Sequence, residues 1–550
     1  MANDAKARIR AGWGENQRIS GSYDPDLAAR CGNGIFVGTR RDGVLIYRGI
    51  PFACPPVGSL RWKKPRPAEK SDLVYEAKYN GRTPIQTEWP SERASYYPQG
   101  EDCLYLNVWT GADKKTGKAV MVFIHGGSYG WGGTADPLYD GFNFAKAHPE
   151  IVLITIAYRV GMMGFVDFSS VPGGEEFPDA PNLGLWDQIE ALRWIRQNAA
   201  AFGGDPEKVT IFGESAGGGS VSLLPYIPAA RGLFRRVIAE SGSVALTYSK
   251  NECQGLTRRI LKAAGAETMQ DLLKLSGKEL SEVNEKVNLY NNFPQRDGVL
   301  IPEDPYAPYA AGETADVDML IGTNAEETNY WINEVGGLIP FRLGTPIQYE
   351  NDLRLLRPED RKRARQYLKM RKGFSLWKIS GFFTEIMFRL PAIRQAEGHS
   401  RCGGKVFMYY WEERSRIRFL RACHAVELSY VFGNIQDTIY TGAPADPGLS
   451  GQVQDQWVRF AETGDPGTPE LPWPAYEEEN RWTMILRKDS QAMKDPMPEE
   501  RKVLFPILDY RLNASYAEMK FNVPFVWKGG AKILLLLLSI GLVVYLLLSR

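Results

Sequence analysis

The chain has 550 residues, 44% hydrophobic and 24% charged, with a formal net charge of +1. A chain of this size buries a large core without metal or disulfide staples, and so balanced a charge excludes the basic footprint of a nucleic-acid binder. Before the C-terminus there is no repeat or low-complexity tract, which excludes solenoids and disordered scaffolds.

The N-terminal stretch "MANDAKARIRAGWGENQRISGSYDPDLAARCGNG" holds no apolar core of a secretory signal. Next, Gly34–Ala53 alternates β-rich runs around Arg41-Asp42-Gly43, a hairpin signal. The continuous apolar runs Ala119–Gly127 and Ile151–Arg159 fit strands buried on both faces. In Gly184–Phe202, Leu185, Ile189, Leu192 and Ile195 recur at helical spacing. "KVTIF" reads as another buried strand, and Phe234–Ser243 and Val317–Glu327 each hold a strand-like run ending in polar residues. Strands alternating with helices imply a largely parallel α/β sheet, whose ligand sites lie beyond the carboxyl ends of the strands. The charge-rich stretches Cys253–Gly312 and Phe341–Gly398 read as helical insertions capping that sheet.

Six cysteines, Cys31, Cys54, Cys103, Cys253, Cys402 and Cys423, lie far apart with no CxxC pair or Cys/His ligand spacing. Reduced thiols in a reducing compartment are expected rather than a disulfide framework. No metal and no cofactor is expected. The C-terminal "ILLLLLSIGLVVYLLLS", Ile533–Ser549, is uncharged. As a helix it would reach about 26 Å, near the span of a hydrocarbon core. Apolar residues cover every helical face, against the alternative of a buried core helix. The expected organisation is an N-terminal extension over 1–30, a catalytic-type α/β domain over 31–515, a juxtamembrane linker over 516–532 and a transmembrane tail anchor over 533–549. Lys528 and Lys532 before the tail favour a cytoplasmic domain. A lipid-anchor signal is the alternative, but the polar spacer it needs is missing.

In "KVTIFGESAGGGS" a strand ends at Phe212, Ser215 sits between Gly213 and Gly217, and an apolar helix follows. This is the G-x-S-x-G elbow that exposes a nucleophilic hydroxyl at a helix N-terminus. Some ninety residues earlier, "HGGSYGWGG" (His125–Gly133) follows a buried strand, as a loop donating N–H groups to an oxyanion would. The nucleophile needs a base. Of four histidines, His125 belongs to the glycine loop, His148 and His399 lie in polar contexts that read as surface, and His424 lies late in the chain. The order Ser, acid, His selects His424, although position alone would leave any one histidine structural.

With these motifs the chain resembles the type-B carboxylesterases, the carboxylesterase/cholinesterase family of α/β-hydrolases. The resemblance runs from about Gly34 to Leu486, through "YRGIPFACPPVGSLRW", "EDCLYLNVW", "AYRVGMMGF", "NLGLWDQIEALRWIRQN", "ESGS", "FAETGDP" and "WPAY". It implies an α/β-hydrolase fold: a large, mostly parallel central sheet with helices on both faces and helical cap insertions, followed here by the transmembrane helix. It also implies the acid. The residues alone leave Glu326 and Glu327 open, and the family pattern assigns Glu327. Gly127, Ser128 and Ala216 would supply oxyanion N–H groups, and Gly126 would shape the loop. Glu214, beside the nucleophile, would tune the histidine or a cationic substrate group, or bond structurally.

Three departures stand out. Pro84 occupies the place of a cysteine that would pair with Cys103, Ser128 replaces a glycine, and Thr328 stands where glycine often follows the acid. Tyr129 and Trp131 either line an acyl or alcohol site or are packing. The expected activity is ester hydrolysis through an acyl-enzyme, falling in acid as His424 protonates, on a small-molecule or lipid ester. A lipid hydrolase at the bilayer is the alternative, and a non-catalytic binding protein another, opposed by the complete Ser, Glu and His set. Oligomeric state stays open.

Overall fold

The computed structural model describes residues 13–88, 93–113, 115–287, 292–334 and 356–507, with residues 6, 9, 342, 344–346, 349, 350, 353 and 354. Near the N-terminus, β1 (Ala28–Cys31), β2 (Gly34–Val37) and β5 (Val74–Glu76) form a small sheet. Of the preceding residues, Ile19 N–H donates to Val74 O of this sheet, and the Asn16 amide donates to Arg48 O and Tyr79 O outside it.

The predicted hairpin is β3 (Thr39–Arg41) and β4 (Val44–Pro51), paired antiparallel. Its turn places Asp42 at φ 44° and Gly43 at φ 80°, the left-handed geometry a two-residue hairpin needs. The apolar runs become β7 (Lys118–Ile124) and β8 (Ile151–Ile156), with every residue buried, and β9 (Gly204–Glu214), buried from Val209 onward. With β6 (Tyr105–Gly111), β10 (Arg236–Glu240), β11 (Asp318–Asn324), β12 (Val406–Trp411), β13 (Trp482–Leu486) and β14 (Gln491–Lys494), they build one sheet. Among the described residues its order is β14-β13-β12-β11-β10-β9-β7-β8-β6-β4-β3. From β8 through to β13 every neighbouring pair is parallel. The flanking strands pair antiparallel. The sheet is therefore mixed, with a parallel centre.

The parallel centre sends β7, β9, β10, β11 and β12 out of the same edge, where ligand sites form. The two insertions are helical as expected. Between β10 and β11 lie helices Lys250–Ala264, Met269–Leu273 and Gly277–Val287; between β11 and β12 lie Pro358–Met370, Ser375–Thr384 and Leu390–Arg401. In the first, Ser249 and Glu252 form a capping box and Gly265 closes the helix in a left-handed conformation. Leu256, Ile260, Leu280 and Val283 of that insertion join Trp62, Met162 and Phe168 in an apolar cluster separate from the main core. The second insertion packs Tyr367, Phe382 and Phe383 into the main core.

The apolar stretch Ile533–Ser549, with the transmembrane helix expected there, and the 516–532 linker lie outside the described residues. No helix among the described residues is long and apolar enough to cross a membrane. All six cysteines are free thiols; Cys103 is buried and Cys402 exposed.

One buried ion pair joins the sheet edge to the helix Leu183–Asn198. Arg159, three residues past β8, grips Asp187 through Nε at 2.8 Å, Nη2 at 2.6 Å and its backbone N–H at 3.0 Å. Removing one partner leaves the other buried and uncompensated. Asp187→Ala is therefore expected to destabilise the chain by about 3–5 kcal/mol in chemical denaturation, and a loss below about 1 kcal/mol would show the pair to be dispensable.

Candidate active site

Strand β9 ends at Glu214, and Ser215 turns the chain at φ 58° and ψ −118° into the helix Ala216–Leu223. A non-glycine residue at positive φ is uncommon. The conformation is held from both sides: Ser215 N–H donates to Glu240 O, and Gly219 N–H donates to Ser215 O, each at 2.8 Å. Gly217 is required by packing, since a Cβ there would sit 1.9 Å from Ile124 O. Ala216, the first residue of its helix, has an N–H that no turn of that helix can accept.

The loop after β7 approaches the same point. A Cβ on Gly126 would lie 2.9 Å from Glu214 Oε2 and 3.2 Å from Ser215 Cβ, so glycine lets the loop reach the serine. Gly127, Ser128 and Tyr129 all take positive φ, at 101°, 52° and 56°. Ser128 thus holds a backbone conformation that glycine adopts without steric cost. Among the described residues, the N–H groups of Gly127, Ser128 and Ala216 meet no backbone acceptor.

His424 enters from the loop after β12. Its Nδ1 lies 2.7 Å from Glu327 Oε2, and its Nε2 lies 3.1 Å from Glu214 Oε1. Its backbone N–H also donates to Glu327 O. Trp331 stacks on the imidazole at 5.7 Å and Phe388 packs at 4.9 Å. Phe388 belongs to a π-helical turn, Glu385–Arg389, between two α-helices; such turns re-aim side chains locally.

Glu327 is fully buried. Its Oε1 accepts from Ser241 Oγ at 2.7 Å and from Asn324 N–H at 2.6 Å, while Oε2 meets His424. Glu326 points elsewhere: it pairs with Arg414 and Arg421 and accepts from Ala422 N–H. The pair that the residues alone left open is separated by one step along the turn. Thr328, where glycine was expected, donates to Ser380 O at 2.7 Å.

The other histidines are structural in their surroundings. His125 is buried, stacks on Tyr158 at 4.3 Å and has Nδ1 at 2.8 Å from Gly126 O. Burial pulls its pKa down to about 4. The surface reading of His148 and His399 is corrected. His399 is buried between Thr314 Oγ1 and Val317 O, each at 2.9 Å, and burial lowers its pKa. His148 is largely covered and sits 3.1 Å from Glu150. Polar sequence neighbours concealed both; beside His399, Arg401 is exposed while Glu397 is itself buried on Arg481.

Gly127, Ser128, Trp131, Tyr139, Glu214, Ser215, Tyr330, Trp331, His424 and Tyr440 line one crevice. Of the two loop aromatics, Trp131 lines it. Tyr129 does not: it is fully buried against Phe165 and Phe293, with its hydroxyl on Ser220 Oγ.

Sequence reasoning missed a carboxyl cluster beneath the histidine. Glu240 ends β10 and accepts from Trp457 Nε1 at 2.8 Å. Glu427, three residues past His424, accepts from the Asn324 amide, which also donates to Cys423 O. Burial pushes Glu240 up to about 7. Glu427 is pushed well above the carboxylate range by burial, then by Glu327 and Glu240. The i,i+3 step from His424 to Glu427 was visible in sequence, but nothing there signalled burial.

The profile of the carboxylesterase family matches residues 26–504. A para-nitrobenzyl esterase of Bacillus subtilis is 36% identical over 495 residues, 85% of this chain and 96% of that protein. The rat (Rattus norvegicus) liver carboxylesterase 1F is 31% identical over 82% of this chain and 87% of its own. A crystal structure of a Geobacillus stearothermophilus carboxylesterase superposes with a TM-score of 0.79 at 32% identity, covering 87% of this chain and all of that one. The fold is thus α/β-hydrolase-like, as in these esterases.

Glu240 has a stability signature of its own. Between the ordinary glutamate value of 4.5 and about 7, the folded chain keeps its proton while the unfolded chain loses it. The folded state then binds more protons, so this contribution to stability is full below that window and falls as pH rises through it. Glu240→Gln keeps an acceptor for Trp457 and removes the titration. It should flatten the loss of stability between pH 5 and 7.5, by up to about 3 kcal/mol. Thermal melts across that range check this; an unchanged slope counts against a neutral Glu240.

Proposed function

The chain belongs to the carboxylesterase family and is a carboxylic ester hydrolase, and from that premise we propose that Ser215, His424 and Glu327 carry its reaction. The observation behind this reading is the imidazole of His424, held at Nδ1 by Glu327 and lining the same crevice as Ser215. Neutral His424 takes the Ser215 hydroxyl proton at Nε2 as Oγ attacks the ester carbonyl. The carbonyl π electrons move to oxygen, and the N–H groups of Gly127, Ser128 and Ala216 receive the oxyanion. Collapse expels the alcohol, which takes the proton from His424. Water then repeats the cycle on the acyl-enzyme, releasing the acid and restoring the serine. Glu327 keeps Nδ1 as the donor nitrogen and stabilises the imidazolium. Glu214, 3.1 Å from Nε2, holds the imidazole in place between proton transfers.

The crevice walls include Trp131, Tyr139, Tyr330, Trp331 and Tyr440 beside Glu214, with no lysine or arginine among the described lining residues. They favour an uncharged, apolar ester group. The Ile533–Ser549 stretch serves as a membrane anchor in this reading, with the catalytic domain on the cytoplasmic side. A lipid hydrolase drawing on that membrane is the second reading.

Ser215→Ala is expected to lower kcat by about 10⁴-fold or more on p-nitrophenyl esters. Glu327→Gln should cost about 10³–10⁴-fold, and Glu326→Gln less than about threefold. Equal losses for the two glutamates would overturn the assignment. A preference rising with acyl length would favour the lipid reading. Deleting residues 533–549 should move the protein from the membrane pellet to the supernatant, and protease protection in sealed vesicles reports the side.

A further inference from the structure

The chain carries almost no net charge, yet residues 357–378 hold nine basic and two acidic residues. The helix Pro358–Met370 turns Ala364 and Tyr367 inward. Pro358, Arg361, Lys362, Arg365, Gln366 and Lys369 line a shallow depression along its outer side. Lys362, Lys369 and Lys372 have no acidic partner among the described residues. Past the helix the chain turns through Phe374, whose side chain is 78% exposed. Single exposed apolar residues are ordinary, but this one stands between Lys372 and Lys378.

A second segment extends the surface. The loop 414–421 carries Arg414, Arg416, Arg418 and Arg421. Its Phe419 stacks on Trp377 at 6.0 Å, with Arg421 4.8 Å over Trp377 and Arg418 4.6 Å over Phe419. The same loop abuts the crevice wall: Ser415 Oγ donates to Tyr440 O and Arg416 N–H to Thr441 O.

Cations around a protruding aromatic make the pattern of a surface that rests on anionic lipid headgroups. Two observations favour a bilayer over other acidic partners. The helix Pro358–Met370 packs on Pro498–Leu504, with Arg371 on Glu500 at 3.4 Å, so the helix that carries the basic face adjoins the segment leading to Ile507. Beyond it the sequence runs to the uncharged apolar stretch Ile533–Ser549. We propose that the outer side of helix Pro358–Met370, the Phe374 turn and the 414–421 loop dock on an anionic bilayer surface, with Phe374 entering the acyl region. The crevice then receives amphiphilic esters from that surface. The choice of a bilayer as the partner of this face rests on the membrane-anchor reading.

The test is hydrogen–deuterium exchange of the full chain in nanodiscs of phosphatidylcholine alone, or with a third of it replaced by phosphatidylserine. Amides of 358–378 and 414–421 should exchange roughly tenfold more slowly with the anionic lipid, and high salt should abolish the difference. Arg361→Gln, Lys362→Gln, Arg365→Gln and Lys369→Gln combined should abolish it too, and Phe374→Ser should weaken it. Hydrolysis of a soluble short-chain ester should be unchanged in both variants, which controls for folding. A chain retained in both discs with equal exchange overturns the docking and leaves the anchor standing. A chain not retained by neutral discs overturns the anchor. Flotation with phosphatidylserine vesicles then decides the docking: the wild type floats and the fourfold variant stays behind, or neither floats and the docking fails.

Discussion

The carboxylate of Glu327 is the point on which this architecture turns. It accepts from Ser241 just past β10, from the Asn324 backbone at the end of β11, and it faces His424 from the loop after β12. These segments are far apart in sequence and meet because the strands leave one edge of the sheet in parallel. A fully buried carboxylate deprived of such partners is costly, so the three strand ends and their loops are fixed together. Glu240 and Glu427 lie in the same layer, and burial favours their neutral forms. That removes two competing anions from beneath the imidazole.

The serine depends on a different constraint, which is steric. Its backbone conformation costs about 1–3 kcal/mol and persists because β9 and the helix after it leave it no alternative. Gly217 lies against the last carbonyl of β7, and Gly126 lies against Glu214 and Ser215. The elbow and the glycine loop therefore exclude side chains from each other's path. Their proximity brings the N–H groups of two loops to one point, which the hydrogen-bonding partners of Glu327 could not do alone.

Much of this was legible because it is written in local pattern. β7, β8 and β9 are continuous apolar runs, the Asp42-Gly43 turn is a two-residue signal, and the elbow and glycine loop have fixed internal spacing. What was not legible depends on contacts between distant segments. His399 reads as polar because Gly398, Ser400 and Arg401 surround it, yet its own side of the helix faces Thr314 and Val317. Tyr129 neighbours the crevice residues in sequence, but its positive φ turns it into the core. β12 was not marked, although its apolar run, Val406–Trp411, follows a Gly403-Gly404 turn signal. Glu240 and Glu427 carry nothing in their neighbours that announces burial.

Thr328 connects these levels. As a departure from glycine it weakened the reading of the acid beside it. In the fold its hydroxyl lies 2.7 Å from both Ser380 O and Ser380 Oγ, and its N–H donates to Thr384 Oγ1. Glycine could make only the last of these bonds. The hydroxyl thus ties the turn that carries Glu327 to the helix Ser375–Thr384. That helix begins beside Phe374, and the π-turn that follows it presses Phe388 on His424. Packed, hydrogen-bonded contacts thus run from this helix to both partners of the Glu327–His424 pair. The helix that starts at the exposed Phe374 turn is therefore the element that joins the surface to the Glu327–His424 layer.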